Sequence, residues 1–315
     1  MAVKSISYAA SDIGKHRSSN QDSGYAGYQL FFVADGMGGH AGGDIASAIS
    51  SQRIALTDAR YDSTEEAIES LRTGILEANG MLASTVAEHP ELEGMGTTFS
   101  GMLLHGSQLI TAHIGDSRIY RARDGEVTQI TVDHTFVQKL VDLGRITPEE
   151  ALVHPRRSVL MRVLGDVSGE PEIDIALHDA LPGDRWLLCS DGLSGVVPEN
   201  VMDRILTSRI PTEEVAELLV GEALEFGAPD NVTVVIVDLV RPATNTEFEP
   251  SAHFVGSAAN EVVIEERKGG KILRLFSPRN LLELLQTPED PTQYAPESEE
   301  LLNKILSETR RKIRW

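Results

Sequence analysis

The chain has one cysteine, Cys189, so no internal disulfide can form. A reducing compartment is the simplest setting for such a protein. Basic residues are also scarce, 28 against 48 acidic ones, for a formal net charge of −20. A chain this acidic repels phosphate backbones and anionic lipid, which excludes nucleic-acid or membrane-surface binding as its expected main task. The same acidity suits a protein that concentrates divalent cations. Long apolar runs are missing too. The most apolar stretch, Val232 to Val240, is broken by Thr233 and Asp238 and is too short to span a bilayer. The first residues lead into an alternating segment, not an uninterrupted apolar signal core. No tandem repeat is visible. The expectation is a soluble cytoplasmic protein with no nucleic-acid and no membrane partner.

Apolar residues make up 41% and charged residues 24%, an ordinary globular balance that excludes collagen, a coiled-coil rod and a mostly disordered chain. A length of 315 residues allows one large domain or two smaller ones. The acidity is uneven: residues 1–240 hold 36 acids and 17 bases, whereas residues 241–315 hold 12 and 11. Composition changes at the same place. From Pro242 to Asn260 the residues are small and polar with no apolar period. These shifts divide the chain into a main domain over 1–240, a linker over 241–276 and a tail over 277–315.

The main domain mixes periods. Ile6, Tyr8 and Ala10 alternate with polar residues, and Leu30 to Ala34 is a short apolar run ending at Asp35; both read as strands. Helical spacing covers 43–59, 64–87, 135–143, 199–207 and 212–225. Further strands are expected at 97–104, 109–114, 118–122, 127–130, 186–189 and 232–239, with a hairpin turn at Asp124-Gly125. Long helices between clusters of short strands predict an α+β protein of sheets covered by helices.

Five aspartates fall at strand ends or in glycine-rich turns: Asp22, Asp35, Asp116, Asp191 and Asp230. An apolar strand followed by Asp-Gly, as at Asp35-Gly36 and Asp191-Gly192, delivers a carboxylate to a sheet edge with bare backbone beside it. Hard cations such as Mg²⁺ and Mn²⁺ take oxygen ligands of this kind, and several such ends converging would hold two ions. Asp-Gly is equally an ordinary turn, so periodicity alone leaves a metal site and a set of turns both open. The glycines from Gly36 to Gly43 lack the Gly-Lys-Ser/Thr of a nucleotide P-loop, and an acid opening the loop suits a metal better than a bare phosphate.

Taken together the motifs match a known family. In order they are Arg17-Ser18-Ser19-Asn20-Gln21-Asp22, Ala34-Asp35-Gly36-Met37-Gly38-Gly39, Gly94-Met95-Gly96-Thr97-Thr98, Gly115-Asp116-Ser117-Arg118, Cys189-Ser190-Asp191-Gly192-Leu193 and Asp230-Asn231-Val232-Thr233. The chain resembles the bacterial metal-dependent Ser/Thr protein phosphatases of the type-2C (PPM) class over roughly residues 5–240. Each motif is weak alone; six in the family's order are specific. The resemblance implies an αββα sandwich of two antiparallel sheets with helices on both outer faces, and a flap at about 134–165. It implies that Asp35 bridges two Mn²⁺ or Mg²⁺ ions and that the Gly36 carbonyl binds the second. Asp191 and Asp230 complete the first ion's shell, Asp22 reaches the second through water, and Asp116 with Asp191 is the candidate for a third. Arg17 is the implied phosphate binder. The implied reaction is hydrolysis of phosphoserine and phosphothreonine by a hydroxide bridging the metals. The partners would be phosphorylated proteins, a Ser/Thr kinase or its substrates.

Two departures stand out. Met37 occupies the position where some relatives carry a histidine, a proposed general acid; His40 is a candidate proton donor here, a loop role being the other reading. Gln21 stands where many relatives have glutamate. Cys189 reads as a strand residue packed in the core. Asn231 reads as orienting Asp230 or its turn. Arg156 and Arg157 either meet a phosphopeptide or pair with Glu149 and Glu150. In the tail, Ser277-Pro278 opens one short helix and a second covers about 298–314, each with charges that favour its macrodipole. These helices either pack on the domain or dimerise, or they form a docking or autoinhibitory arm. The competing function is a catalytically inactive, phosphatase-like binding or regulatory module. Retention of Asp35, Asp191 and Asp230 argues for the enzyme.

Overall fold

The structure, a computed structural model, describes residues 3–38, 42–166, 169–242, 252–260, 263–265 and 272–274. It begins with β1 (Lys4–Asp12), β2 (Asp22–Ala26) and β3 (Leu30–Met37), followed by α1 (Gly43–Ala55) and α2 (Thr64–Glu88). Five strands come next: β4 (Gly96–Thr97), β5 (Phe99–His105), β6 (Gln108–Ile114), β7 (Arg118–Arg123) and β8 (Glu126–Gln129). Two short helices, α3 (Phe136–Asp142) and α4 (Pro148–Leu152), precede β9 (Asp174–Asp179) and β10 (Arg185–Cys189). Helices α5 (Asp191–Ser194), α6 (Glu199–Leu206) and α7 (Thr212–Glu225) then lead to β11 (Val232–Val240) and β12 (His253–Gly256).

The strands form two antiparallel sheets, β1-β11-β10-β7-β8 and β12-β2-β3-β5-β6-β9, with β4 paired to β3. Three apolar layers follow from the two-residue period of the strands. In β11, Val235, Val237 and Leu239 face the second sheet, while Val232, Val234 and Ile236 face α5, α6 and α7. In β3, Phe31 and Val33 face the sandwich interior, while Leu30 and Phe32 meet α1 and α2. Strands buried on both faces need apolar residues at every position, which is why both read as continuous runs. The architecture is therefore α+β, two antiparallel sheets flanked by helices, as the resemblance implied. Asp124 and Gly125, both left-handed (φ 52° and 84°), form the turn between β7 and β8.

Three strands carry no clear signal in the sequence. β2 is Asp-Ser-Gly-Tyr-Ala, too small and polar to stand out, yet all five residues are buried. β9 is an edge strand that is mostly exposed and has no apolar period. β12 is a correction: it lies inside the expected linker, yet it pairs with β2 and buries Phe254. Two adjacent large apolar residues, Phe254 and Val255, among seven small or polar ones leave no period to detect. The core thus extends past residue 240 to at least Ala258. Two further strands of the expected linker, β13 (Val263–Glu265) and β14 (Ile272–Arg274), pair with each other. The tail helices expected over 277–315 lie outside the described residues. Among the described residues no helix is long and apolar enough to cross a membrane.

Candidate active site

Strand pairing brings the five aspartates to one edge of the sandwich. Asp22 opens β2 and sits directly across from Asp35 near the end of β3. In the other sheet, Cys189 at the end of β10 lies between Val234 of β11 and Arg118 of β7. The segments just outside those strand ends hold Asp191 at the start of α5, Asp230 before β11 and Asp116 in the β6–β7 turn.

Backbone contacts fix the two Asp-bearing strand ends. The Asp35 N–H donates to Thr98 Oγ1 (2.9 Å), and its carbonyl accepts from the Thr98 N–H and Thr97 Oγ1, both at 2.9 Å. Gly36 donates its N–H to the Gln21 carbonyl at 3.1 Å. A Cβ at Gly36 would collide with the carbonyls of Gly43 and Gln21, so only glycine lets the start of α1 close against this strand. Asn231 ties the remaining loop. Its side chain accepts from the Gln21 N–H (2.8 Å) and donates to the carbonyls of Ile13 (2.8 Å) and Ser19 (3.0 Å).

The carboxylates crowd one another. Asp35 is pushed well above the usual carboxylate range, by burial first and then by Asp22, Asp191, Asp116 and Asp230. Asp22, 2% exposed, is pushed up to about 7 by burial. Hydrogen bonds from Ser190 and Thr233 pull it back, while Asp191 and Asp230 push it further. Asp116 rises to about 8 through burial, Asp191 and Asp133. Asp191 is raised by burial and by Asp230, against lowering contributions from Asp35, Arg17 and Arg118. Arg118 does not pair with Asp116: its guanidinium forks onto Asp133 at 2.9 and 2.7 Å. The cation in contact with the site's acids is Arg17, whose Nη2 lies 2.5 Å from Asp230 Oδ2 and whose side chain is 48% exposed.

Hydroxyls orient these acids. Ser190 Oγ donates to Asp22 Oδ2 (2.7 Å) and accepts from the Thr233 N–H (3.0 Å). Asn20 Nδ2 donates to Ser11 Oγ (2.8 Å), which leaves the Ser11 proton for Thr233 Oγ1 (2.7 Å) and the Thr233 proton for Asp22. The expected role of Asn231 thus falls on the loop from Ile13 to Gln21 as well as on Asp230. Ser190, Thr233, Thr98 and Ser11 drew no attention in the sequence. The first three sit inside the six motifs, Ser190 next to Asp191 and Thr233 three residues after Asp230, and that motif membership was the available signal. His40 lies outside the described residues. Cys189 is fully buried in β10 and its thiol is pushed up to about 12 by burial, which suits a core residue. In the expected flap, Glu150 closes a capping box with Thr147, and Arg156 lies over the Phe136 ring at 5.7 Å.

Among the described residues no three His, Cys, Asp or Glu side chains close tightly enough to enclose an ion as they stand. The donor chemistry nevertheless suits hard dications: the aspartates gathered at this edge offer oxygen ligands, and the buried carboxylates repel one another. Protons or divalent cations both relieve that repulsion, and the protons are progressively lost as pH rises.

A helix-covered double-sheet sandwich with clustered carboxylates at one edge places the molecule among αββα proteins with an oxygen-donor site. The Protein phosphatase 2C family matches residues 15–225. The chain belongs to that family. It is 48% identical over 242 residues to the serine/threonine protein phosphatase PstP of Mycobacterium tuberculosis (strain H37Rv), covering 75% of this chain and 45% of that one. It is 38% identical to the serine/threonine phosphatase stp of Listeria welshimeri, over 72% of this chain and 93% of that one. The chain therefore spans less than half the length of the Mycobacterium relative. A crystal structure of the catalytic domain of PstP in complex with two manganese ions superposes with a TM-score of 0.69 at 44% identity, covering 76% of this chain and all of that one.

Proposed function

We propose that the protein is a metal-dependent protein serine/threonine phosphatase acting on phosphorylated proteins. The observation that carries this reading is the cluster of buried, mutually repelling carboxylates with a half-exposed arginine at its rim. The PstP catalytic domain, a structural neighbour, holds two manganese ions. In this chain Asp35 would be a ligand to both of two Mn²⁺ or Mg²⁺ ions, and the Gly36 carbonyl a ligand to the second. Asp191 and Asp230 would hold the first, Asp22 would hold the second through water, and Asp116 with Asp191 would take a third. When bound, such ions supply Lewis acidity, bringing a water toward hydroxide near neutral pH and drawing charge from the phosphoryl oxygens.

The protein's own groups do the rest. Arg17 exchanges its Asp230 carboxylate for the substrate's phosphoryl oxygens, which its guanidinium grips as a fork. Asn231 and Ser190 hold the loops so that Asp22 and Asp230 keep their separation. His40 remains the candidate donor of a proton to the leaving serine or threonine oxygen. The buried, reduced Cys189 agrees with a cytoplasmic location, where the enzyme would oppose a Ser/Thr kinase; the tail over 277–315 is then a docking or autoinhibitory arm. Hydrolysis of a phosphothreonine peptide tests this. The expected result is phosphate release with Mn²⁺ that stops with excess chelator. Folded, Mn²⁺-loaded protein that releases none would favour the inactive binding module.

A further inference from the structure

Strand β12 and the turn after it lie past residue 225, where the family match ends, yet they contact the turn that leads into Asp22. β12 runs antiparallel to β2, from His253 opposite Ala26 to Gly256 opposite Ser23, so the chain travels toward Asp22. Apolar anchors fix it: Phe254 is 7% exposed with its ring 4.8 Å from Tyr25, Ala258 is fully buried, and His253 packs against Tyr8. At Gly256 the backbone turns left-handed (φ 69°), and a Cβ there would collide with the Asp22 carbonyl. Two hydrogen bonds then lock the turn to the site, and a third ties the acceptor Ser23 to α1. Ser257 Oγ donates to the Asn20 carbonyl (2.5 Å), the Ala258 N–H donates to Ser23 Oγ (3.1 Å), and Ser23 Oγ donates to Ser47 of α1 (2.9 Å).

The residues so held are the ones flanking Asp22. Asn20 accepts the Asp22 N–H on its own side chain (3.1 Å), so the Asn20 peptide sets the direction in which the Asp22 carboxylate leaves the strand. Without β12, that edge of β2 would present unpaired N–H and C=O groups and frustrate a fixed geometry. We propose that residues 252–260 are a strap that fixes the Asn20–Asp22 turn, and that Ser257 is its positioning residue. Its consequence for metal affinity rests on the phosphatase reading; its consequence for the loop does not.

The test uses the full chain and Ser257→Ala, with Ser257→Thr as the variant that keeps the hydroxyl. Two readouts are taken: Mn²⁺ titration by calorimetry, and amide hydrogen exchange over residues 20–23. The expected result for Ser257→Ala is about tenfold weaker binding of one ion with the other unchanged, the size seen for groups that orient metal ligands. Exchange at 20–23 should rise at least about fivefold, a local opening with little change elsewhere. Ser257→Thr should restore both. Unchanged exchange at 20–23 overturns the strap. So does a loss spread evenly over both ions with a lowered melting temperature, which is a packing effect. If the unmodified chain takes up no Mn²⁺, the phosphatase reading fails, and the exchange readout still decides the strap.

Discussion

The same two strands carry aspartates at both ends, and the two ends are built differently. Just before β10, Asp184 is 2% exposed and receives a fork from Arg123 at 2.7 Å on each oxygen. Near the end of β11, Asp238 receives Arg185 at 2.6 and 2.8 Å and the Thr212 hydroxyl at 2.7 Å. At the opposite ends stand Asp191 and Asp230, with Asp22 as buried as Asp184 yet held only by hydroxyls. Asp58, buried under the second sheet, shows a third solution, accepting from the Tyr25 hydroxyl and three backbone amides. Burial therefore does not separate structural from functional acids here. Partnership does: a fold that buries an acid for stability supplies it with a guanidinium or amides, whereas the site's cluster has a single half-exposed guanidinium, on Asp230, and lowers stability until a cation arrives.

The largest effect that would sharpen this contrast is on turnover. Asp35→Asn should lower metal-dependent phosphopeptide hydrolysis by at least about a thousandfold, some 4 kcal/mol in the barrier, while the metal-free protein melts at an equal or higher temperature. Phosphate release and a thermal scan read the two halves. Asp184→Ala should behave in reverse. It leaves the partly exposed Arg123 with only the Asp179 carbonyl, so urea unfolding should show a loss of about 2 kcal/mol, with turnover of the folded fraction unchanged. A destabilised Asp35→Asn, or a neutral Asp184→Ala, would break the comparison.

Acidity gives a further prediction. In the folded chain burial pushes Asp22 up to about 7 and Asp116 up to about 8, from an ordinary carboxylate value of 3.8. Between those limits the folded state holds more protons than the unfolded one, so stability must fall as pH rises. Metal-free protein should melt at a lower temperature at pH 8 than at pH 5, and saturating Mn²⁺ should flatten or invert that slope. A metal-free melting temperature that climbs across the window would contradict the crowding. The smallest effect is expected at the rim. Arg17→Lys keeps the charge but loses the fork, and steady-state kinetics should show KM up about tenfold with kcat less affected.

Much of this was legible in the sequence because the site's acids lie beside features with a period. Asp35 ends the apolar run from Leu30, Asp191 follows Trp186 to Cys189, and Asp230 precedes Val232 to Val240. Their motif order then pointed to the family and its sandwich. What the sequence hid has physical reasons. Asp22 lies on a strand of small residues whose free edge is covered by β12, and the two are more than 220 residues apart. The arginine partners of Asp184 and Asp238 come from neighbouring strands in a register that no local pattern reveals. The hydroxyl relay through Ser11 and Thr233 likewise depends on the pairing of β1 with β11.

The central claim is that the crowded aspartates, which share one half-exposed arginine among them, await divalent cations. Calorimetric titration of the metal-free protein with Mn²⁺ at pH 7, in two buffers of different ionisation enthalpy, tests it most directly. The account predicts saturable uptake of at least two ions with net proton release, since Asp22 and Asp116 are partly protonated there, and loss of that uptake in Asp35→Asn. Absence of saturable binding in the folded protein, or binding without proton release that survives Asp35→Asn, would contradict it.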